Sequence, residues 1–404
     1  MERLWSADYI KVWTANFMIF FSFMVVVPLL PLYLSETFEC DKHTIGIVLS
    51  GYTITALLAR PFSGYLVDTL PRKLVLLTSY FLFFLFFGGY IIASSLTLFT
   101  IVRTLHGAPM GTVTVANSTM AIDVLPSSRR AEGIGYYGLS NNLATAIAPT
   151  IGLLIYQYLH SYTLLFTISL LASGTGLLIN STVKARTPEG LSKQATSPAC
   201  LPQKAPLRGV ISLDRFLLLK GWSEGLTLAC LSFSYGVLAT YLAIYGKEQL
   251  GITSGTGLFF AILCIGLMVS RLVGVRSLRQ GRLLHNCAVG MTISLFGYLL
   301  FAAVPNNLGY YGAALIIGLG NGHMFPAMQN MFINLAPASK RGTANSTMLV
   351  AWDVGIGFGI LFGGITAERL GYTPAFWLAW IVNVVGVAFF YLYAASHYRR
   401  HRLN

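Results

Sequence analysis

The sequence predicts an all-α integral membrane fold, with twelve transmembrane helices in two six-helix pseudo-symmetric bundles. Three observations carry the prediction. The chain has too few charges to face water, it contains twelve apolar runs of bilayer length, and a repeat maps its first half onto its second.

Only 10% of the 404 residues are charged and 55% are hydrophobic. Soluble domains carry roughly 25% charged residues, so much of this surface must face lipid. Aromatic residues at 13% suit the two membrane interfaces. The net charge of +13 does not read as a nucleic-acid footprint, because the basic residues form no single patch. They sit in the short gaps between apolar runs. The five cysteines (Cys40, Cys200, Cys230, Cys264, Cys287) are scattered, odd in number and without a CxxC pair, which points to neither a disulfide framework nor a metal site.

The apolar runs fall near 11–34, 44–67, 74–94, 97–122, 134–156 and 162–182, then near 221–245, 256–275, 283–303, 308–333, 343–366 and 372–396. Each can cross roughly 30 Å of hydrocarbon at about 1.5 Å per residue. The first is too long for a signal-peptide core and lacks a small-residue cleavage site, so it reads as a retained span. An even count puts both termini on one side. Of the 27 Lys and Arg, 21 lie at the termini and in the gaps after even-numbered spans, three lie in the gaps after odd-numbered spans, and Arg60, Arg103 and Arg271 lie inside spans. That bias assigns both termini to the cytoplasm, and the short loops suggest a bacterial inner (plasma) membrane. Residues 1–182 are expected to form the first bundle and 220–404 the second. The Pro-, Ser- and Lys-rich segment 183–219 joins them as a cytoplasmic linker, with an interfacial helix expected over 207–220.

The halves repeat at a shift of 211. Arg60 falls on Arg271, Gly107 on Gly318, Gly111 on Gly322, Pro126 on Pro337, Arg130 on Arg341 and Gly152 on Gly363. Parallel repeats related by an axis along the membrane normal are a transporter architecture with a substrate site near the midplane.

At this point the chain resembles the major facilitator superfamily over its whole length. The family's loop between spans 2 and 3 runs G-x-x-x-D-R-x-G-R-R/K. Gly64, Asp68, Arg72 and Lys73 match it, with Thr69 and Pro71 substituted. A second copy has Gly274, Arg279, Gly281 and Arg282, with Leu278 in place of the aspartate and a register slip of one. The resemblance implies a cytoplasmic latch, with Asp68 near the start of span 11, where a helix N-terminus favours a carboxylate. It also implies Arg72 paired with Asp123, and Arg130 in the matching loop. The other reading is that Asp68, Arg72 and Asp123 are ordinary solvated charges. Arg103-x-x-x-Gly107 resembles the family's span-4 motif, whose arginine is tied to proton coupling. In span 5, Ala148, Pro149 and Gly152 resemble the helix-packing motif of the twelve-helix drug–proton antiporter branch, with alanine replacing its leading glycines; small residues there permit close helix packing.

Charges inside the bilayer need a reason. Asp353 lies mid-span with no Lys or Arg nearby in sequence, matched by Asn142 in the first half. Burial disfavours an ionised carboxylate, so Asp353 reads as a proton-coupling or substrate-contacting group, or else as a packed carboxylate hydrogen-bonded to a neighbouring helix. Arg103 either lines the cavity or snorkels to the interface. Glu224 is a vestibule carboxylate or an interfacial charge. His106 and His323 either titrate with transport or hydrogen-bond helices together. Arg60 and Arg271 are expected to brace the latch loops. Asn16, Tyr33, Tyr235, Tyr241, Asn321 and Gln329, with Asn142, are the substrate-cavity candidates. Pro28 and Pro31 are expected to kink span 1, and Pro326 span 10.

No GxxxxGK[ST] or HExxH pattern is present, and no GxSxG serine elbow appears on a strand–helix turn, so ATP hydrolysis, metal catalysis and serine chemistry have no visible machinery. The expectation is therefore a secondary active transporter, not an enzyme. It would move a small organic solute by alternating access and act as a monomer. A proton gradient, rather than a cofactor, would drive it, most readily as an efflux antiporter. The alternatives are a proton-coupled uptake symporter for a sugar, organic acid or other nutrient and, from another class, a non-transporting receptor or sensor.

Overall fold

The computed structural model describes residues 3–40, 42–184, 213–252 and 257–403. Most of the expected linker, 185–212, lies outside the described residues. The described part of the expected interfacial helix holds two single 3-10 turns, Leu213–Arg215 and Leu219–Gly221, rather than a helix.

Among the described residues, twelve long helices follow one another: α1 (Ala7–Phe38), α2 (Lys42–Thr69), α3 (Arg72–Ile92), α4 (Leu96–Val124), α5 (Arg130–Leu159), α6 (Tyr162–Ser181), α7 (Trp222–Leu250), α8 (Gly257–Arg279), α9 (Leu283–Ala303), α10 (Asn307–Leu335), α11 (Arg341–Leu370) and α12 (Tyr372–His401). Most overhang the apolar runs by a few residues, because a helix continues past the lipid wherever water or protein satisfies its side chains. Among the described residues, nine helices are apolar enough to count as spans by length and composition; α4 and α10 are not among them. These two carry asparagines, threonines and glycines that lipid would reject, and each is buried along most of its second half. Neighbouring helices are their solvent.

Local chemistry sets the boundaries. Ser6, Ser95, Ser161 and Asn306 cap α1, α4, α6 and α10, each side-chain oxygen accepting a first-turn N–H at 2.9–3.2 Å. Such caps contribute about 1 kcal/mol apiece. Pro28 lies in a 3-10 turn, Val27–Leu29, that interrupts α1, and Pro31 opens the segment beyond it. Pro326 sits inside an uninterrupted α10, where Asn330 Nδ2 donates to its carbonyl at 2.8 Å.

The 211-residue repeat is physical. Gly107 and Gly111 on α4 press against the Tyr52 and Ala56 carbonyls of α2. Gly318 and Gly322 on α10 press against the Leu263 and Leu267 carbonyls of α8, at the same shift. A methyl group at any of the four would collide with backbone, which is why glycine recurs. The α5–α1 and α11–α7 pairs repeat in the same way. Gly152 meets the Val25 carbonyl, while Gly355 and Gly359 meet those of Ala229 and Phe233, and Gly363 meets Val237. The complete small-residue ladder thus lies in α11, where α5 has Ala144, Ala148 and Gly152.

Candidate functional site

The halves touch mainly through two helix pairs, α2 with α11 and α5 with α8. On the face that carries the α2–α3 loop, polar contacts bind them. Asp68 Oδ1 accepts the Gly342 N–H at 2.8 Å, and its Oδ2 accepts the Thr343 N–H and hydroxyl, each at 2.7 Å. These donors belong to the first turn of α11, whose amides have no partner within the helix. Arg72 lies 3.6 Å from Asp68, pairs with Asp123 and donates to the Ala338 carbonyl at 2.9 Å. Arg341 reaches the other oxygen of Asp123 at 3.1 Å, so Asp123 holds one arginine from each half. Lys73 donates to the Val183 carbonyl at 2.8 Å. Gly64 lets α2 approach Gly342, Thr343 and Ser346 of α11 closely. Asn345 Nδ2 donates to Thr119 Oγ1 at 3.1 Å, and the Ser346 hydroxyl donates to the Arg60 carbonyl. This face is closed.

Deeper in the α2–α11 interface, Arg60 Nε lies 2.6 Å from Asp353 Oδ2. Arg60 is nine residues before the end of α2 and Asp353 twelve past the start of α11. At about 1.5 Å per residue both lie more than about 13 Å into their helices. Arg60 is therefore no brace of the latch loop. It is the ion-pair partner that Asp353 lacks along the chain, and neither lines the cavities between the halves.

Those cavities lie along the other interface. The larger, of about 310 Å³, is walled by Phe20 and Met24 of α1, Asn141, Asn142 and Thr145 of α5, Tyr235 of α7, Cys264 and Arg271 of α8, Asn321 and Phe325 of α10, and Trp352 of α11. The smaller, of about 90 Å³, includes Asn16, Tyr137, Gln329 and again Arg271. Arg271 thus borders both, and is no loop brace either. Its Nη1 donates to the Gly135 carbonyl at 3.2 Å, and its guanidinium lies across Gly138, where any Cβ would displace it.

A model of the Major Facilitator Superfamily matches residues 12–359 and 287–403. The chain belongs to the Major Facilitator Superfamily. It is a multi-pass membrane protein and a secondary transporter. It is similar to the staphylopine export protein of Staphylococcus aureus, with 20% identity over 92% of each chain. It is also similar to the quinolone resistance protein NorA of the same species, with 22% identity over 86% of this chain and 87% of that one. Among solved structures, the human organic anion transporter MFSD10 superposes with a TM-score of 0.77, at 13% identity, over 95% of this chain and 98% of that one. The transporter FucP in its outward conformation gives 0.72, at 17% identity, over 96% and 99%.

The remaining candidates of this superfamily member scatter. Arg103 is buried beneath the rings of Tyr52 (4.0 Å) and Phe23 (5.6 Å) and donates to the Tyr90 hydroxyl at 3.2 Å. That hydroxyl also bonds His106 Nδ1 at 2.8 Å. The pair forms a buried polar cluster inside the first half; Arg103 neither snorkels nor borders either cavity. Asn16 donates to Ser140 at 2.8 Å and accepts from the Tyr137 hydroxyl at 2.7 Å. His323 bonds Ser270, joining α10 to α8 beside Gly274. Gln329 donates to Asn345 at 3.1 Å. Tyr241 ties α7 to the Ile360 carbonyl of α11 at 2.8 Å. Tyr33 packs edge-on against Phe38, Tyr162 and Phe166, away from the cavities. Glu224 is fully buried, 3.2 Å from His397 of α12, and so is neither a vestibule nor an interfacial charge. Arg130, Gly281 and Arg282 border a wide basic recess of about 950 Å³ with Arg399 and Arg402, in the loop that mirrors the latch. Arg279 ends α8 beside that loop, and Gly281 adopts a left-handed φ of 72°.

Sequence reading missed Phe20, Asn141, Phe325 and Trp352 as cavity residues, and Thr343 and Ser346 as contacts of the latch. The run Ser140-Asn141-Asn142 in mid-span was the available signal for Asn141. Aromatic residues in an apolar helix carry none.

Proposed function

We propose that this protein is a proton-coupled exporter of a small organic solute, with both termini in the cytoplasm of a bacterial cell. The Arg60–Asp353 pair across the α2–α11 interface is the observation that carries this reading. The Asp353 side chain is 22% exposed, and the pair joins the two halves. Protonation would discharge Asp353 and remove its attraction for Arg60, loosening the interface. With the latch face cytoplasmic, the closed contacts correspond to an outward-facing state. A proton arriving from outside would then favour opening toward the cytoplasm, and solute binding there would accompany its release. The export and resistance functions named for the relatives support the direction.

Inverted membrane vesicles with an imposed gradient test the proposal. Solute should accumulate when the interior is acid and not when the gradient is collapsed, and Asp353→Asn should abolish that dependence. Proton-driven accumulation that survives Asp353→Asn would remove Asp353 from the coupling step.

A further inference from the structure

We infer that Arg271 is the anion-recognition group of the central cavity, and that the transported solute is a small organic anion with an aromatic or apolar body. The inference rests on the transport reading above and names the substrate class.

The argument begins with the repeat. Arg271 is the copy of Arg60, and Asn142 is the copy of Asp353. In one interface the arginine meets a carboxylate. In the other the matching position is an amide. Among the described residues no ion pair includes Arg271, and no carboxylate borders either cavity it faces. Yet Arg271 is only 5% exposed, and its Nε is buried with no hydrogen-bond partner. A buried charge without a counter-ion is strongly unfavourable; Arg103 shares the unpartnered Nε but borders neither cavity, whereas Arg271 borders both. The one hydrogen bond it makes among the described residues, to Gly135, leaves the rest of a five-donor fork unmatched. That fork suits a carboxylate or another planar or tetrahedral oxyanion.

The surroundings define the rest of the ligand. Asn142 Nδ2 is also buried without a partner, a second donor on the wall of the larger cavity. The rings of Phe20, Tyr235, Phe325 and Trp352 supply apolar faces around it. A cationic drug would meet an arginine here and no carboxylate. An aryl carboxylate would meet a guanidinium, amide donors and aromatic walls.

The test uses the full chain in nanodiscs, without a gradient, so that failure of proton coupling cannot mimic failure of binding. The probes share one body and differ in charge: 3-phenylpropionate, 3-phenylpropionamide and 3-phenylpropylamine, with acetate as the control without a ring. Binding is read by calorimetry. The carboxylate is expected to bind about tenfold or more tighter than the amide or amine, as charge-assisted hydrogen bonds imply, and tighter than acetate. Arg271→Gln should erase the preference for the anion, Arg271→Lys should retain part of it, and Gly138→Ala should weaken it by displacing the guanidinium. Thermal melting of each variant identifies any that fail to fold. Equal binding of the three charge forms, a preference that persists in a folded Arg271→Gln, or no binding of any probe to the folded protein would overturn the assignment. Equal binding of acetate and phenylpropionate would overturn its aromatic part.

Discussion

The α2–α11 and α5–α8 interfaces are copies of one another, and they differ in charge. The first carries Arg60 against Asp353 and, at its loop end, Asp68 against the start of α11. The second keeps the arginine as Arg271 but has Asn142 where Asp353 stands, Leu278 for Asp68, and Asn334 for Asp123. One interface is a closed electrostatic clasp; the other holds uncompensated positive charge beside the cavities. Parallel repeats supply the frame for alternating access, and only one copy has carboxylates at these positions. On the proposed reading, a proton acts on the carboxylate of one interface and an anion meets the arginine of the other.

The sharpest way to break the comparison is at the clasp. Asp353→Asn strands the Arg60 charge. Removing one member of a buried pair costs about 3–5 kcal/mol; with Asp353 partly exposed, the lower end is expected, read as a fall in the thermal midpoint. Adding Arg60→Gln should restore much of that stability while leaving transport unresponsive to the proton gradient. A double variant that still couples would separate the pair from the mechanism.

The reverse change makes the second interface resemble the first. Asn142→Asp should give Arg271 the counter-ion its copy has. Thermal stability is expected to rise, and affinity for 3-phenylpropionate to fall about tenfold or more. An unchanged affinity in the same calorimetric assay would show that the two copies are not equivalent in register.

The smallest expected effects lie at the latch. Asp68→Asn keeps an acceptor but loses the charge at the α11 N-terminus, worth about 0.3–2 kcal/mol. Thr343→Val removes one of the three hydrogen bonds to Asp68, about 1 kcal/mol. Both should shift population toward opening on the latch face, Asp68→Asn more. Spin labels at Leu70 and Ser339, in a background without native cysteines, would report this as a longer distance component. Unchanged distances in both would assign the closed state to the remaining contacts.

Much of the site is visible along the chain, and the reason for what is not is geometric. Scarcity alone singles out Asp353, because an isolated carboxylate in an apolar span is conspicuous. Its partner was not visible, since Arg60 lies 293 positions earlier on another helix, and only packing makes them neighbours. The motif loop identifies Asp68, Arg72 and Asp123 as a group, but not that Asp123 also receives Arg341 from the other half. Tyr33 and Tyr235 look alike in sequence. One closes an aromatic cluster and the other borders the cavity, because helix rotation, not residue type, decides which way a ring points. The asparagine and threonines in α4 and the asparagines in α10 are likewise explained only by the burial of those helices inside the bundle.

What the sequence determines by itself is whatever follows from local physics: helix number, from apolar runs matched to the bilayer, and the twofold plan, from a 211-residue shift. Tertiary structure alone decides which buried charges are compensated. Attraction between charges depends on their separation in space, and two arginines at equivalent positions acquire opposite circumstances only when the helices bring Asp353 to one and Asn142 to the wall beside the other.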